Sequence, residues 1–225
     1  MDYYDKAKSK NNESVPSIGT LTPHTTGSEE NMVCLSDFYP QHINSIVKEI
    51  INAIEGAGLT RSATNLTQLS QAITANRTKI AILEDQKADG ADGGTGSAGT
   101  WNTRVINTEV SDPDSIVSIS SNQFTLGVGK YKITARGSVA SVNGHRMRVR
   151  NITDSTTDIL GQSAFESTGF NGDDANLIGY IDIADTKVFE LQHWINASVG
   201  TQDFGRPTTS GDSEIYLQIV IEKIG

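Results

Sequence analysis

The chain has 225 residues, a formal net charge of −9, 20% charged residues and one cysteine. That acidity opposes broad binding to phosphate backbones or anionic membrane surfaces, so nucleic acid is not an expected partner, and no apolar run approaches a membrane span in length. Cys34 has no second cysteine to pair with inside the chain, so packing must hold a fold that has length enough for one substantial domain and an extension.

Residues 1–37 are polar, carry Pro16 and Pro23, and lack helical or strand periodicity, which predicts an extended arm that docks onto another protein. Their opening, MDYYDKAKSKNNESVPS, has no apolar segment of the kind a secretion signal needs, so folding in a cytoplasm is expected. Ile43, Ile46, Val47, Ile50, Ile51 and Ile54 then recur at three- and four-residue spacing, predicting an amphipathic helix over 40–55 that stops at Gly56 and Gly58.

A second helix is expected from Ser62 or Thr64 to about residue 86, because its apolar positions fall into heptads: Leu66, Ile73 and Ile80 at one core position, Leu69, Asn76 and Leu83 at the other. Thr60, Thr64, Thr67, Thr74 and Thr78 lower its intrinsic helicity, so association of chains would have to stabilise it. In register, Asn76 amides could bond to one another and fix the oligomer; the alternative is a surface Asn on a helix packed against its own chain. The stretch GADGGTGSAG follows. Gly90, Gly93, Gly96 and Gly99 recur every third residue, as the crowded axis of a collagen-like three-chain helix requires. A flexible linker is the competing reading, since the run has no proline and barely three triplets, and Gly94 shows that glycine is simply abundant here.

From Trp101 onward, short alternating runs rich in β-branched and aromatic residues alternate with Asp, Gly, Asn, Ser and Pro clusters: 101–110, 115–120, 130–142, 145–152, 177–183, 187–197 and 214–224. No helical pattern interrupts them, so the expected class is mainly β, an antiparallel jelly-roll sandwich. In EIYLQIVIEKI, Ile215, Leu217, Ile219 and Ile221 alternate with Tyr216, Gln218, Val220 and Glu222, as in a central strand buried on one face and partly covered on the other. The expected layout is therefore an arm (1–37), a helical collar and coiled-coil stalk (38–87), a Gly-rich linker (88–100) and a β head (101–225).

This layout, with GAGLTRSATNLTQLSQAI, TWNTRVINTEVSDPDSIVSISSNQFTLGVGKYKITARGSV, HRMRVRNITDSTT and KVFELQHWI, resembles tail fibre and spike proteins of bacterial viruses over residues 56–225. The heads of that family look like trimeric jelly rolls of the tumour-necrosis-factor or complement type. The resemblance implies a homotrimer that joins other virion proteins through residues 1–37 and binds a host-surface glycan or protein through its head. It also implies location on the virion after assembly in the host cytoplasm, which the missing export signal fits. Competing expectations are a purely structural decoration, capping or trimerisation protein, and, more distantly, an enzyme that trims host polysaccharide.

Chemistry-bearing motifs are sparse. His24, His42, His145 and His193 are scattered without HExxH or Cys-His spacing, so neither metal nor cofactor is expected. GQSAF lacks the second glycine of a nucleophile elbow, and GVGKY lacks the earlier glycine of a phosphate loop, so no catalytic residue is assigned. In HRMRVRN, a strand would project Arg146, Arg148 and Arg150 from one face, where they could bind a polyanionic glycan or pair with acidic neighbours such as Glu190, Asp182 or Glu214, within a subunit or across an interface. Phe170, Asn171, Asp173 and Asp174 in ESTGFNGDDANL could form a sugar or calcium site, or an ordinary turn. Phe204 and Arg206 centre the long connection VGTQDFGRPTTSGDS, a candidate recognition loop displayed three times on a trimer. His193 and Trp194 must face opposite sides of their strand, so one of them belongs to the core.

Overall fold

A computed structural model describes residues 40–166 and 172–224; the arm, Phe170 and Asn171 lie outside the described residues. The chain divides between Asn76 and Arg77 into two units.

The first unit holds helices α1 (Pro40–Gly56) and α2 (Gln68–Ala75). The end of α1 is set by Gly58, whose φ of +75° lets its N–H reach Glu55 O while Leu59 N–H reaches Ile54 O. Gln68 fixes the approach to α2, its Nε2 donating to Thr60 O at 2.6 Å while its Oε1 accepts from Ser62 N–H. Ile54 and Ala72 are buried, whereas Ile46, Val47 and Ile50 of α1, Leu69 and Ile73 of α2 and the preceding Leu66 remain exposed.

The second unit carries β1 (Lys79–Lys87), β2 (Thr100–Thr103), β3 (Thr108–Ser111), β4 (Val117–Ser120), β5 (Gln123–Leu126), β6 (Gly129–Ala140), β7 (Asn143–Asn151), β8 (Thr156–Leu160), β9 (Ala164–Glu166), β10 (Gly172–Ile183), β11 (Lys187–Ile195) and β12 (Glu214–Lys223). One sheet has the order β10-β6-β12-β1-β3; the other has β4-β5-β11-β7-β8, with β2 also on β11 and β9 on β7. All pairings are antiparallel. From β5 onward the chain crosses repeatedly between the sheets, which is jelly-roll winding. Inward-facing Leu83, Phe124, Ile133, Met147, Val149, Phe189, Leu191 and Ile219 fill the interior, and the Phe124 and Phe189 rings stack 5.5 Å apart.

The structure corrects three expectations. The helix expected to run to residue 86 ends at Ala75, and Lys79–Lys87 is a strand paired along its length with β12. Residues three apart share a helix face but point oppositely from a strand, so Ile80 is exposed and Leu83 is fully buried: no coiled-coil seam joins them. Asn76 caps α2 with its N–H on Ala72 O and is exposed, so it does not sit at a buried seam. The head therefore begins at Arg77 rather than at residue 101.

The glycine period has an origin within one chain. Gly90 and Gly99 have φ of +75° and +72°, opposite in sign to the collagen conformation. Gly93 and Gly96 are buried, and a Cβ would meet Phe204 O at 2.3 Å in the first and Ile195 Cδ1 at 2.7 Å in the second. Along β12, a bulge opposite Asp85 and Gln86 turns Tyr216 inward and leaves Ile215 exposed, reversing the expected alternation at that end.

Candidate recognition surface

Strands β7 and β11 are neighbours, and their alternation separates two sets of polar side chains. His145 and His193 point inward and are buried, whereas Arg146, Arg148, Arg150, Glu190, Gln192 and Trp194 point outward and are half-buried.

Pairing places Arg146 opposite Trp194, Arg148 opposite Gln192 and Arg150 opposite Glu190. On the far side of β11, β2 sets Trp101 opposite Trp194. The two indoles meet edge to face with centroids 5.7 Å apart, and the Arg148 guanidinium lies 4.1 Å above the Trp101 ring. Arg148 also donates from Nε and Nη2 to Gln192 Oε1 at 2.9 and 2.7 Å, and from Nη1 to Thr157 Oγ1. Arg146 Nη2 donates to Gly161 O at 3.2 Å. Among the described residues none of the three arginines forms an ion pair within the chain, so pairing with Glu190, Asp182 or Glu214 inside one subunit is not made. Asp182 is instead near Lys130, and Glu214 accepts from Thr208 and Thr209 N–H. Glu190 accepts from Thr103, Gln123 and Gln192; burial raises its pKa, but these bonds and the Arg150 charge outweigh burial and hold it below the ordinary value.

One strand further along, Phe165 of β9 lies opposite Gly144 and is 71% exposed. Asn196 accepts from Trp194 Nε1 at 2.8 Å and borders the same patch. Trp101, Phe165 and Asn196 were absent from the expected site because only the β2–β11 and β7–β9 registers bring them to it. Half of the signal was visible as the unresolved choice between His193 and Trp194.

The inner set is a closed network. Arg104 is fully buried and donates from Nη1 to Ser138 O at 3.0 Å and from Nη2 to Tyr216 O at 2.7 Å, with its guanidinium 4.5 Å above the Phe204 ring. Because Nη1 also donates to His193 Nδ1 at 3.0 Å, His193 Nε2–H donates to His145 Nδ1 at 3.3 Å, and His145 Nε2–H faces Asp173 at 3.5 Å. Burial pulls Arg104 down to about 10 against support from Asp85, and burial likewise lowers both histidines.

The other expected recognition residues are drawn into the fold. Phe204 is buried and stacks on His193, and Arg206 Nη2 lies 3.3 Å from Ser141 Oγ. Asp203 ties their loop down by accepting from Gly96, Val199 and Gly200 N–H and from Ser198 Oγ. Asp173 faces His145, and Asp174 is paired with Arg136. The described residues contain no group of three or more His, Cys, Asp or Glu side chains able to hold a metal ion. Ser163 of GQSAF is followed by strand β9 rather than by a helix. No described helix is long and apolar enough to cross a membrane.

No family model and no curated protein matches the chain. Among solved structures, murine APRIL at pH 8.0 is similar with 7% identity and a TM-score of 0.43, over 65% of this chain and 99% of that one. The globular domain of zebrafish complement 1qA protein is similar with 13% identity and a TM-score of 0.42, over 65% of this chain and 95% of that one. Function must therefore be read from the chain's own surface.

Proposed function

We propose that the chain is a virion fibre or spike subunit that assembles as a homotrimer, joins the particle through residues 1–37 and binds a host-surface receptor, a glycan or protein, through its jelly-roll head. The outward face of β7 and β11 carries this reading: Arg146 and Arg148, neither of them ion-paired with a carboxylate, stand beside half-exposed aromatic rings in a chain whose net charge is −9. Their positive charge is left for an anion from outside the head to meet. Binding breaks no bond, and three copies on one particle would raise avidity.

The trimer rests on surfaces other than a heptad seam. Ile178, Tyr180 and Ile215 are 67%, 52% and 49% exposed on the outer face of the β10-β6-β12 sheet, and Ile178 lines a groove of about 700 Å³. Further copies of the chain would cover them. The same face favours the second reading, a purely structural capping or decoration protein, since self-association alone would satisfy it.

Light scattering of the full chain, together with retention of the purified protein on intact cells and envelope fractions from a panel of bacteria, tests both. A trimeric mass with selective retention is expected. A monomeric mass overturns the trimer, and a trimer retained by no envelope favours the structural role.

A further inference from the structure

The proposal here rests on the receptor-binding reading and names its ligand class. We infer that the outer face of β7 and β11, from Phe165 through Trp194 and Arg146 to Arg148, is a platform for an acidic saccharide. The sugar ring lies against the aromatic side chains, and its carboxylate or phosphate is held by the guanidinium groups.

The placement follows from register. Moving along β7, outward positions pass from Gly144 to Arg146 to Arg148, and their neighbours are Phe165, Trp194 and Gln192 in turn. Alternate residues of a strand stand about 7 Å apart, so a ring and a charge two positions away lie within reach of one sugar unit. Gly144 contributes no side chain, and the space beside it is occupied by Asn196, whose Nδ2 would lie 2.5 Å from a Cβ at that position. Asn196 and Gln192 thus border the aromatic patch with amides that suit hydroxyl groups.

The chemistry selects a sugar that is also an anion. Phe165 leaves most of its ring in water, an exposure that an ordinary polar residue at an outward position would avoid. Flat aromatic faces suit the C–H face of a pyranose and are poor partners for a simple anion. The guanidinium groups answer the other half. Arg148 is held in place by Gln192, Thr157 and the Trp101 ring, all of them uncharged, so it is oriented while its charge remains uncompensated. Arg146 has a buried Nε without a hydrogen-bond partner. Elsewhere in the unit cations do meet carboxylates, as in Arg136 with Asp174, Lys132 with Glu222 and Lys187 with Asp154. The acid nearest the row, Glu190, spends its oxygens on Thr103, Gln123 and Gln192. A long polyanion would meet the repulsion of the acidic chain, whereas a short acidic glycan engages only the local patch.

The two tryptophans of the chain are Trp101 and Trp194, so intrinsic fluorescence of the full-length protein reports on this face. Titrations would use oligogalacturonate for the carboxylate source, glucose 6-phosphate for the phosphate source, neutral maltotetraose, and a sulfated dextran as a probe of charge alone. A saturable change with one or both acidic sugars, and none with maltotetraose, is expected. Arg146→Gln and Arg148→Gln should each weaken that binding by about tenfold, the scale of one charge-assisted hydrogen bond. Phe165→Ser, at an exposed position that the fold does not need, should weaken it with an unchanged unfolding midpoint. Absence of a response to both acidic sugars overturns the platform, as does tighter binding of sulfated dextran that is indifferent to Phe165→Ser. Retention on cells without any acidic-sugar response would overturn this platform alone; loss of both would overturn the receptor reading as well.

Discussion

Two arginines of the head each lie over an aromatic ring, and the contrast between them separates structure from recognition. Arg104 sits 4.5 Å above Phe204 in the interior, and Arg148 sits 4.1 Å above Trp101 on the outer face. Arg104 is surrounded by backbone: the carbonyls of Ser138 and Tyr216 accept its protons, and His193 accepts another. No approach from solvent remains, so its charge serves to join β6, β11 and β12. Arg148 is oriented by side chains alone and keeps a solvent-facing edge. The same group on the same kind of ring is a fastener in one place and a presented charge in the other, and the difference lies in what satisfies its donors.

Arg104→Met should have the largest effect on folding. Removing the buried guanidinium takes its donors from the Ser138 and Tyr216 carbonyls and, with Lys87 left in place, removes the second of the two cations that support buried Asp85. A loss of about 3 kcal/mol is expected, since stripping one member from a buried charged network costs roughly that much. Chemical denaturation measures it. A midpoint within error of the parent protein would show that Arg104 is no fastener.

Much of this division could be read in advance, and what could not has a physical cause. The α1 helix and its stop at Gly58 rest on local rules, and the structure reproduces them. The outward arginine row follows from strand alternation alone, and the structure has it. Strand β1 is hidden in the sequence because Leu66, Leu69, Ile73, Ile80 and Leu83 match a heptad by spacing, while the alternation of Ile80 and Ile82 with Ala81 and Leu83 competes within the same residues. Burial of Asp85 and Arg104 runs against the usual place of charged residues and depends on contacts with remote strands. The spacing of Gly93 and Gly96 answers to Phe204, more than a hundred residues away in the chain, which no local pattern records. Trp101 joined the recognition face only once β2 was paired with β11.

Acid should weaken the inner network before it touches the rest. Burial holds the pKa of His145 and of His193 below the ordinary 6.5, for His193 with help from the Arg104 charge and for His145 against Asp173, Glu166 and Asp174. The folded state therefore refuses protons that the unfolded chain accepts. Stability is full above 6.5 and falls as pH drops below it, by up to about 1.4 kcal/mol per pH unit for each histidine. Asp92, Asp154, Glu190 and Glu214 also have lowered pKa values, but they cost stability only below the ordinary carboxylate range near 4. Two separate declines are thus expected in melting temperature between pH 7.5 and 3, the upper one diminished in His145→Gln. A flat profile from pH 7.5 to 5.5 would remove the histidines from the stability of the head.

The smallest effect on folding belongs to Arg148→Gln, and its smallness is the point. The side chain gives up an exposed cation–π contact, worth about 0.5–1 kcal/mol at such sites, and its bonds to Gln192 and Thr157 pass to water. Glutamine also relieves the repulsion between neighbouring Arg150 and Arg148 that adds to burial in lowering the latter's pKa. The net change in stability should be below about 1 kcal/mol, measured by the same denaturation series as Arg104→Met. If Arg148→Gln cost as much as Arg104→Met, the outer guanidinium would be a fastener too, and the β7–β11 face would lose its claim to be a surface kept for a partner.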